Sequence, residues 1–242
     1  SVSRPLLSKN GNWVETVEAA GIPFHIVTFV KGKGMRVPDN DYRYRSDAPI
    51  EEYFRNWGRM LGQMHALTQN YRPESASVRR PEWFDLHKSR LARVAQLPER
   101  LHRVQERIQS LLDELRALPT DNALSVDNAS FGLIHGDFND GNFTVDYTNG
   151  KLTAFDFDDA CYFWFIYELA SAWEGGIGRA MFRGLAERRA FMDHYMEQVM
   201  EGYNQENTLS NAWLERLPLF IELIQVEEFL HYAQYLDEAD AE

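Results

Sequence analysis

Residues 133–159 constrain this chain more than any other stretch, because they read as two short apolar strands folded back on each other around a polar loop. Leu133 and Ile134 lead into His135-Gly136-Asp137-Phe138-Asn139-Asp140-Gly141-Asn142. Phe143, Val145 and Tyr147 then alternate with polar residues as a half-buried strand does. Gly136 and Gly141 permit tight turns, so Asp137 and Asn142 are expected on a loop. Thr148-Asn149-Gly150 predicts a hairpin turn, and Leu152, Ala154 and Phe155 predict a returning strand that ends at Asp156. Such a hairpin brings the loop and Asp156 to one place.

An Asp two residues after a His, an Asn five residues later and an Asp closing the next strand are the parts of a phosphoryl-transfer site. In that chemistry one carboxylate orients a hydroxyl, while an Asn and a second carboxylate hold magnesium. A hard cation takes oxygen ligands and keeps several waters, so one Asn carbonyl, one carboxylate and substrate phosphates make an ordinary magnesium site. The plainer alternative is an Asn/Asp/Gly-rich loop whose side chains only cap turns. For His135 the plain reading is preferred: a loop histidine satisfied by backbone groups and holding the loop in shape.

The run from His135 to Asn142, followed by Ala154-Phe155-Asp156-Phe157-Asp158-Asp159, resembles the catalytic and metal-binding segments of the aminoglycoside phosphotransferase and choline kinase-like family. These are small-molecule kinases of protein-kinase-like fold. Leu61-Gly62-Gln63-Met64-His65-Ala66-Leu67 resembles the family's helix behind the hinge. Tyr167-Glu168-Leu169-Ala170 resembles the segment after the metal Asp, where the family usually has Asp in place of Glu168, a position that reads as structural. The resemblance implies an α+β fold in which residues 35–242 form a mostly helical C-terminal catalytic and substrate lobe with a catalytic β-hairpin. Residues 1–34 are then a remnant of the N-terminal ATP-binding β lobe and hinge. It further implies ATP and Mg2+ as cofactors, with the γ-phosphate passed to a hydroxyl of an amino sugar or an amino alcohol such as choline or homoserine. On this reading Asp137 accepts the hydroxyl proton late, and Asn142 and Asp156 hold the metal. Asp158 supports a second ion or orients Asp156, and Asn139 touches the transferring phosphate. Thr28, Phe29 and Val30 are the implied adenine edge, with an ordinary apolar strand as the alternative.

The family's phosphate-covering loop and strand lysine are not found. Lys9, Lys31, Lys33, Lys88 and Lys151 are the only lysines, and none lies in a strand ahead of a helix offering a partner Glu. Gly32-Lys33-Gly34 lacks the spacing of a phosphate loop and reads as a turn. The chain opens on Ser1, and the expectation is that the first strands and helix of the small lobe are missing, which should depress turnover of this piece severely. Residues 6–17, with a turn at Asn10-Gly11-Asn12, and residues 24–30 read as the lobe's last two strands.

The 242 residues, 44% hydrophobic and 13% aromatic, suffice for one substantial core or two smaller ones. The longest apolar run, 160–167, is too short to span a bilayer, and no signal-like arrangement opens the chain, so a soluble protein is expected. Cys161 is the single cysteine; it excludes intrachain disulfides, suits a cytoplasmic setting and reads as a small core residue. Residues 1–120 carry about five net positive charges and residues 121–242 about seventeen net negative ones. An acidic cleft concentrates cations, so a small, cationic substrate is favoured and nucleic acid is disfavoured; acidity as a solubility device is the alternative. Nothing in the sequence sets an oligomeric state.

Leu101, Val104, Ile108, Leu111, Leu112, Leu115 and Leu118 recur at helical spacing, and Pro119 ends the pattern. Residues 51–70, 165–173, 185–203 and 211–236 predict four more helices, the last bent at Pro218. Segments 38–47 and 71–84 read as loops that could cover a cleft. Tyr162, Phe163, Trp164, Phe165, Trp173, Tyr195, Tyr203 and Trp213 could line a pocket for an amine through cation-π attraction, although core packing is the preferred reading for each.

Two rivals belong to other classes. Asp156 and Asp158 could be the Asp-x-Asp pair of an aspartyl-nucleophile phosphatase, but the following Gly/Thr pattern is missing and few strands come after. Alternatively the chain is a catalytically silent kinase-like module that binds a nucleotide or a partner.

Overall fold

The computed structural model describes residues 1–118 and 129–233. Four short strands come first: β1 (Pro5–Leu6), β2 (Glu15–Ala19), β3 (Ile22–Ile26) and β4 (Thr28–Phe29). β2 and β3 pair antiparallel with Ala19 opposite Ile22, joined by Ala20 and Gly21, both at positive φ. β1 pairs with β4. The two strands expected here are therefore four: the turn over residues 8–12 separates β1 from β2, and Val27 separates β3 from β4. The Asn10-Gly11-Asn12 turn closes with Ser8 donating to the Asn12 carbonyl at 2.8 Å.

Helix α1 (Ile50–Thr68) buries Tyr53, Phe54, Trp57, Met60, Leu61 and Met64, one face of an amphipathic pattern. Short helices α2 (Trp83–Leu86) and α3 (Lys88–Ala92) precede α4 (His102–Ala117), which buries Ile108, Leu111, Leu112 and Leu115. The loop expected over 71–84 thus runs into α2, where Trp83 is fully buried and stacks on Phe163 with ring centroids 5.0 Å apart. Strands β5 (Phe131–Ile134), β6 (Phe143–Val145), β7 (Leu152–Ala154) and β8 (Cys161–Trp164) follow as two antiparallel pairs, β5 with β8 and β6 with β7.

Helix α5 (Ile166–Ala180) continues beyond the expected stop at Trp173. Its glycines are contact points, not breakers: a Cβ on Gly175 would meet the Trp57 ring at 2.8 Å, and one on Gly176 the Tyr195 ring at 2.6 Å. Helix α6 (Leu185–Tyr203) lies along α1. The single bent helix expected at 211–236 is two helices, α7 (Asn211–Leu214) and α8 (Leu217–Ala233). Pro218 cannot continue a preceding helix but fits the first turn of a new one. Residues 234–236 of that expectation, the acidic stretch after them and Pro119 lie outside the described residues.

One apolar cluster joins α1, α4, α5, α6 and α8 to β5–β8. Phe163, Trp164, Phe165, Tyr195, Tyr203 and Trp213 are buried in it, so they pack the core. Of the eight aromatics weighed above for an amine pocket, Tyr162 is the one whose ring has a cation over it among the described residues, the Arg79 guanidinium 4.2 Å from its centroid. Among the described residues no helix is long and apolar enough to cross a membrane.

Candidate active site

The β6–β7 hairpin is gripped on both edges by the first third of the chain. Met35 and Val145 exchange main-chain hydrogen bonds at 3.2 and 2.8 Å, and Ser3 donates to the Ala154 carbonyl at 2.7 Å. The result is a cleft of about 640 Å³ lined by Phe29, Val30, Lys31 and Arg36 on one wall and by Phe155, Asp156 and Asp158 on the other. Thr28 is not part of that lining; its hydroxyl donates to the Leu6 carbonyl at 3.1 Å. Val30 donates its N–H to the Arg4 carbonyl at 2.9 Å and its own carbonyl accepts the Ser3 hydroxyl, so a base bound at Val30 would replace these contacts.

The loop between β5 and β6 is built on a buried pillar, Phe138, whose ring lies 5.1 Å from Phe143 and 5.4 Å from His135. Gly136 has φ +87°, and a Cβ there would collide with the Asp159 carbonyl. His135 is buried and its Nε2 lies 2.9 Å from the Phe155 carbonyl, which can only accept, so Nε2 carries the proton and Nδ1 accepts the Asp137 N–H at 3.4 Å.

Asp137, Asn139 and Asn142 lie outside the lining of that cleft and are linked to it through Asn142, whose carbonyl holds the Phe155 N–H. Asp137 Oδ1 accepts Asn139 Nδ2 at 2.7 Å and its Oδ2 accepts Asn142 Nδ2 at 2.8 Å. Partial burial pushes its carboxyl above the usual aspartate range against the pull of these two amides, and the neighbouring Asp159 charge pushes the same way. Asn142 spends its amide on Asp137, donating also to that residue's main-chain carbonyl at 2.8 Å. Its Oδ1 has no hydrogen-bond donor among the described residues. The Asn142 main-chain carbonyl accepts the Phe155 N–H at 3.0 Å, which sets Asp156 beside it. Asp156 is exposed and left-handed, with φ +65°. Arg80 donates to the main-chain carbonyls of Asp158 and, at 2.7 Å, of Ala160, fixing the segment that follows.

Asp137, Asn139 and Asn142 are thus in direct contact, Asp156 is joined to Asn142 through the main chain, and Phe29, Val30 and Asp158 share the cleft with Asp156. No group of three or more His, Cys, Asp or Glu converges among the described residues. The donors present, one free amide oxygen and one exposed carboxylate, suit a hard cation whose remaining ligands come from a phosphate and water. They do not suit zinc.

Two supports were not legible in the sequence. Glu168 is buried; its Oε1 accepts the N–H groups of His135 and Gly136, each at 3.1 Å, and its Oε2 lies 2.6 Å from His65 Nε2. His65 Nδ1 is 2.9 Å from the Tyr203 hydroxyl, which accepts Asn207 Nδ2 at 2.7 Å. A consistent order has Tyr203 donating to Nδ1 and Nε2–H donating to Glu168. The second support is Asp140, which accepts the Tyr53 hydroxyl and, at 2.8 Å, Arg179 Nη2. The family-like segments flagged His65 and Glu168 individually, but nothing local pairs residues this far apart, and Arg179 carries no motif.

The family model described as "Phosphotransferase enzyme family" (APH) matches residues 2–205. Amicoumacin kinase of Bacillus subtilis (strain 168) is 35% identical over 224 residues, which is 92% of this chain and 61% of that protein. Among solved structures, an amicoumacin kinase in complex with AMP-PNP, Ca2+ and Ami has a TM-score of 0.79 at 28% identity, over 98% of this chain and 66% of that one. The microcompartment-associated aminopropanol kinase has a TM-score of 0.68 at 23% identity, over 96% of this chain and 66% of that one. The chain therefore spans less than two thirds of the length of each of these three relatives.

Proposed function

Because the chain belongs to the phosphotransferase enzyme family and has its protein-kinase-like α+β fold, we propose that it is the catalytic part of a small-molecule kinase that moves the γ-phosphate of ATP to a hydroxyl of an amine-bearing substrate. The observation that carries this reading is the hydrogen-bonded pair Asp137–Asn142 with the Asn142 oxygen left free beside Asp156. Relatives named for amicoumacin and aminopropanol support an amine-bearing acceptor, as does the acidic C-terminal half.

In this mechanism Asp137 accepts a hydrogen bond from the acceptor hydroxyl, orients the oxygen for in-line attack and takes the proton late. The hydroxyl displaces Asn139 from Oδ1, and the freed Asn139 amide donates to the transferring phosphate. Asn142 and Asp156 would hold Mg2+, with Asp158 as support, and such an ion would supply charge neutralisation for the phosphate oxygens. Phe29 and Val30 wall the adenine. Residues 1–34 serve as the last strands of the ATP-binding lobe and residues 35–242 as the catalytic and substrate lobe. ATP chemistry and the buried free Cys161 suit the cytoplasm.

The test uses the full-length protein and a panel of amine-bearing alcohols with labelled ATP. Asp137→Asn is expected to lower kcat by about 100-fold or more with nucleotide affinity nearly unchanged. Comparable turnover in that variant refutes the assignment, and magnesium-dependent ATP binding without transfer to any alcohol would mark a silent module.

A further inference from the structure

We propose that Arg179 is a positioning residue which, through Asp140, holds the Asn139–Asn142 half of the loop so that the Asn142 oxygen stays aimed at the divalent ion. This rests on the reading of Asn142 as a metal ligand. Arg179 Nη2 donates to Asp140 Oδ2 at 2.8 Å and lies 3.4 Å from the Tyr53 hydroxyl, which itself donates to Asp140 Oδ1. The three side chains close a triangle between α5, α1 and the loop.

Burial makes this triangle costly to keep. The Arg179 and Asp140 side chains are only 12% and 16% exposed, and two charges taken out of water recover their hydration only when the geometry is good. Arg179 Nε is buried with no hydrogen-bond partner among the described residues, a further cost. The guanidinium is walled by Tyr53 and Tyr42, with ring centroids 5.0 and 5.5 Å away. A hydrophobic pair would join two helices more cheaply; an ion pair fixes one geometry.

The location gives that geometry its use. Asp140 is separated from Asn142 by Gly141 alone, which adds no side-chain anchor. Glu168 stands in the first turn of α5 and Arg179 in its last, about 16 Å apart along the axis at the helical rise. One helix therefore grips the loop at two places: Glu168 takes the amides of His135 and Gly136 at its start, and Arg179 takes Asp140 in its second half. Asp137 and Asn139 lie between the two grips, and Asn142 stands two residues past the second, on its short Gly141 tether. A lysine at 179 supplies charge but not a planar fork that bonds Asp140 while lying between two rings.

The test is Mn2+ binding to the full-length protein with ADP, read from the electron paramagnetic resonance of free Mn2+, with Tm measured alongside. Arg179→Ala is expected to weaken Mn2+ about tenfold or more, the loss typical when a ligand's supporting partner is removed. Arg179→Lys is expected to recover little, whereas added guanidinium ion should restore much of the affinity of Arg179→Ala. Mn2+ affinity within about twofold of wild type in a folded Arg179→Ala protein of lower Tm overturns the proposal, since a support that merely joins helices moves Tm alone. If Arg179→Ala does not fold, Asp140→Asn carries the test under the same criteria, because it keeps the side-chain shape and an acceptor for Tyr53. A wild-type protein that binds no Mn2+ overturns both this proposal and the assignment of Asn142 and Asp156, whereas unchanged affinity in the variants overturns this proposal alone.

Discussion

Asp137 must be ionised to accept a proton, and its surroundings oppose that. Its folded value lies above the ordinary 3.8 because burial outweighs the two Asn amides. The sign follows: as pH falls through the raised value the carboxylate protonates and the hydroxyl loses its acceptor. The acid limb of log kcat/KM against pH is therefore expected at a pH higher than 3.8, and a limb at or below that value would show that another group governs it. Gly136 gives a second residue-level prediction. Alanine there must hold φ +87° and meet the Asp159 carbonyl, so Gly136→Ala should cost about 2–4 kcal/mol in urea unfolding. At this scale the sequence was informative. Asp137, Asn142 and Asp156 stand out as the proposed site residues because phosphoryl-transfer chemistry demands those residue types at nearly fixed spacing, and the contact of Asp137 with Asn142 agrees with that reading.

Among elements, α5 carries more of the site than its sequence suggested. Its first turn supplies Glu168, the one acceptor for two loop amides and for His65. Glu168→Ala should cost about 3–5 kcal/mol, since it leaves buried donors unanswered, and should lower kcat through the loop; near wild-type unfolding in urea would remove Glu168 from the scaffold. The hairpin β6–β7 was readable from alternation and its Asn-Gly turn. The length of α5 was not, because glycines that admit the Trp57 and Tyr195 rings look in one dimension like helix breakers. Likewise Pro218 marked a disturbance without saying whether the helix would bend or stop.

For the molecule as a whole, Glu227 on α8 ties its stability to pH. Burial raises its carboxyl to about 7, against the Tyr167 hydroxyl that donates to it at 2.7 Å and against Arg90. His87 faces it at 3.5 Å, but burial lowers that imidazole to about 4, so near neutral pH the contact is not an ion pair. A carboxyl raised on folding from 4.5 contributes stability below that pH and loses it as pH rises through about 7. His87 acts oppositely, destabilising as pH falls below its ordinary 6.5. Comparison with Glu227→Gln isolates the carboxylate: the wild-type Tm should fall relative to the variant between pH 4.5 and about 7, and parallel curves would contradict it. The helical bulk was legible from periodicity and the α+β class from the family resemblance, whereas this buried charge was not, since nothing local in the sequence marks Glu227 as buried.

The thin ribbon of β2 and β3 carries a last consequence. Every residue of β3 and four of the five in β2 are exposed, while β6 is buried throughout. A two-stranded ribbon wet on both faces has little to hold it closed. In deuterium-labelling experiments its amide protons should therefore be replaced early, while those of residues 143–145 wait for global opening. Warming should loosen this ribbon, which precedes Phe29 and Val30 in the chain, well before it disturbs the hairpin of β6 and β7.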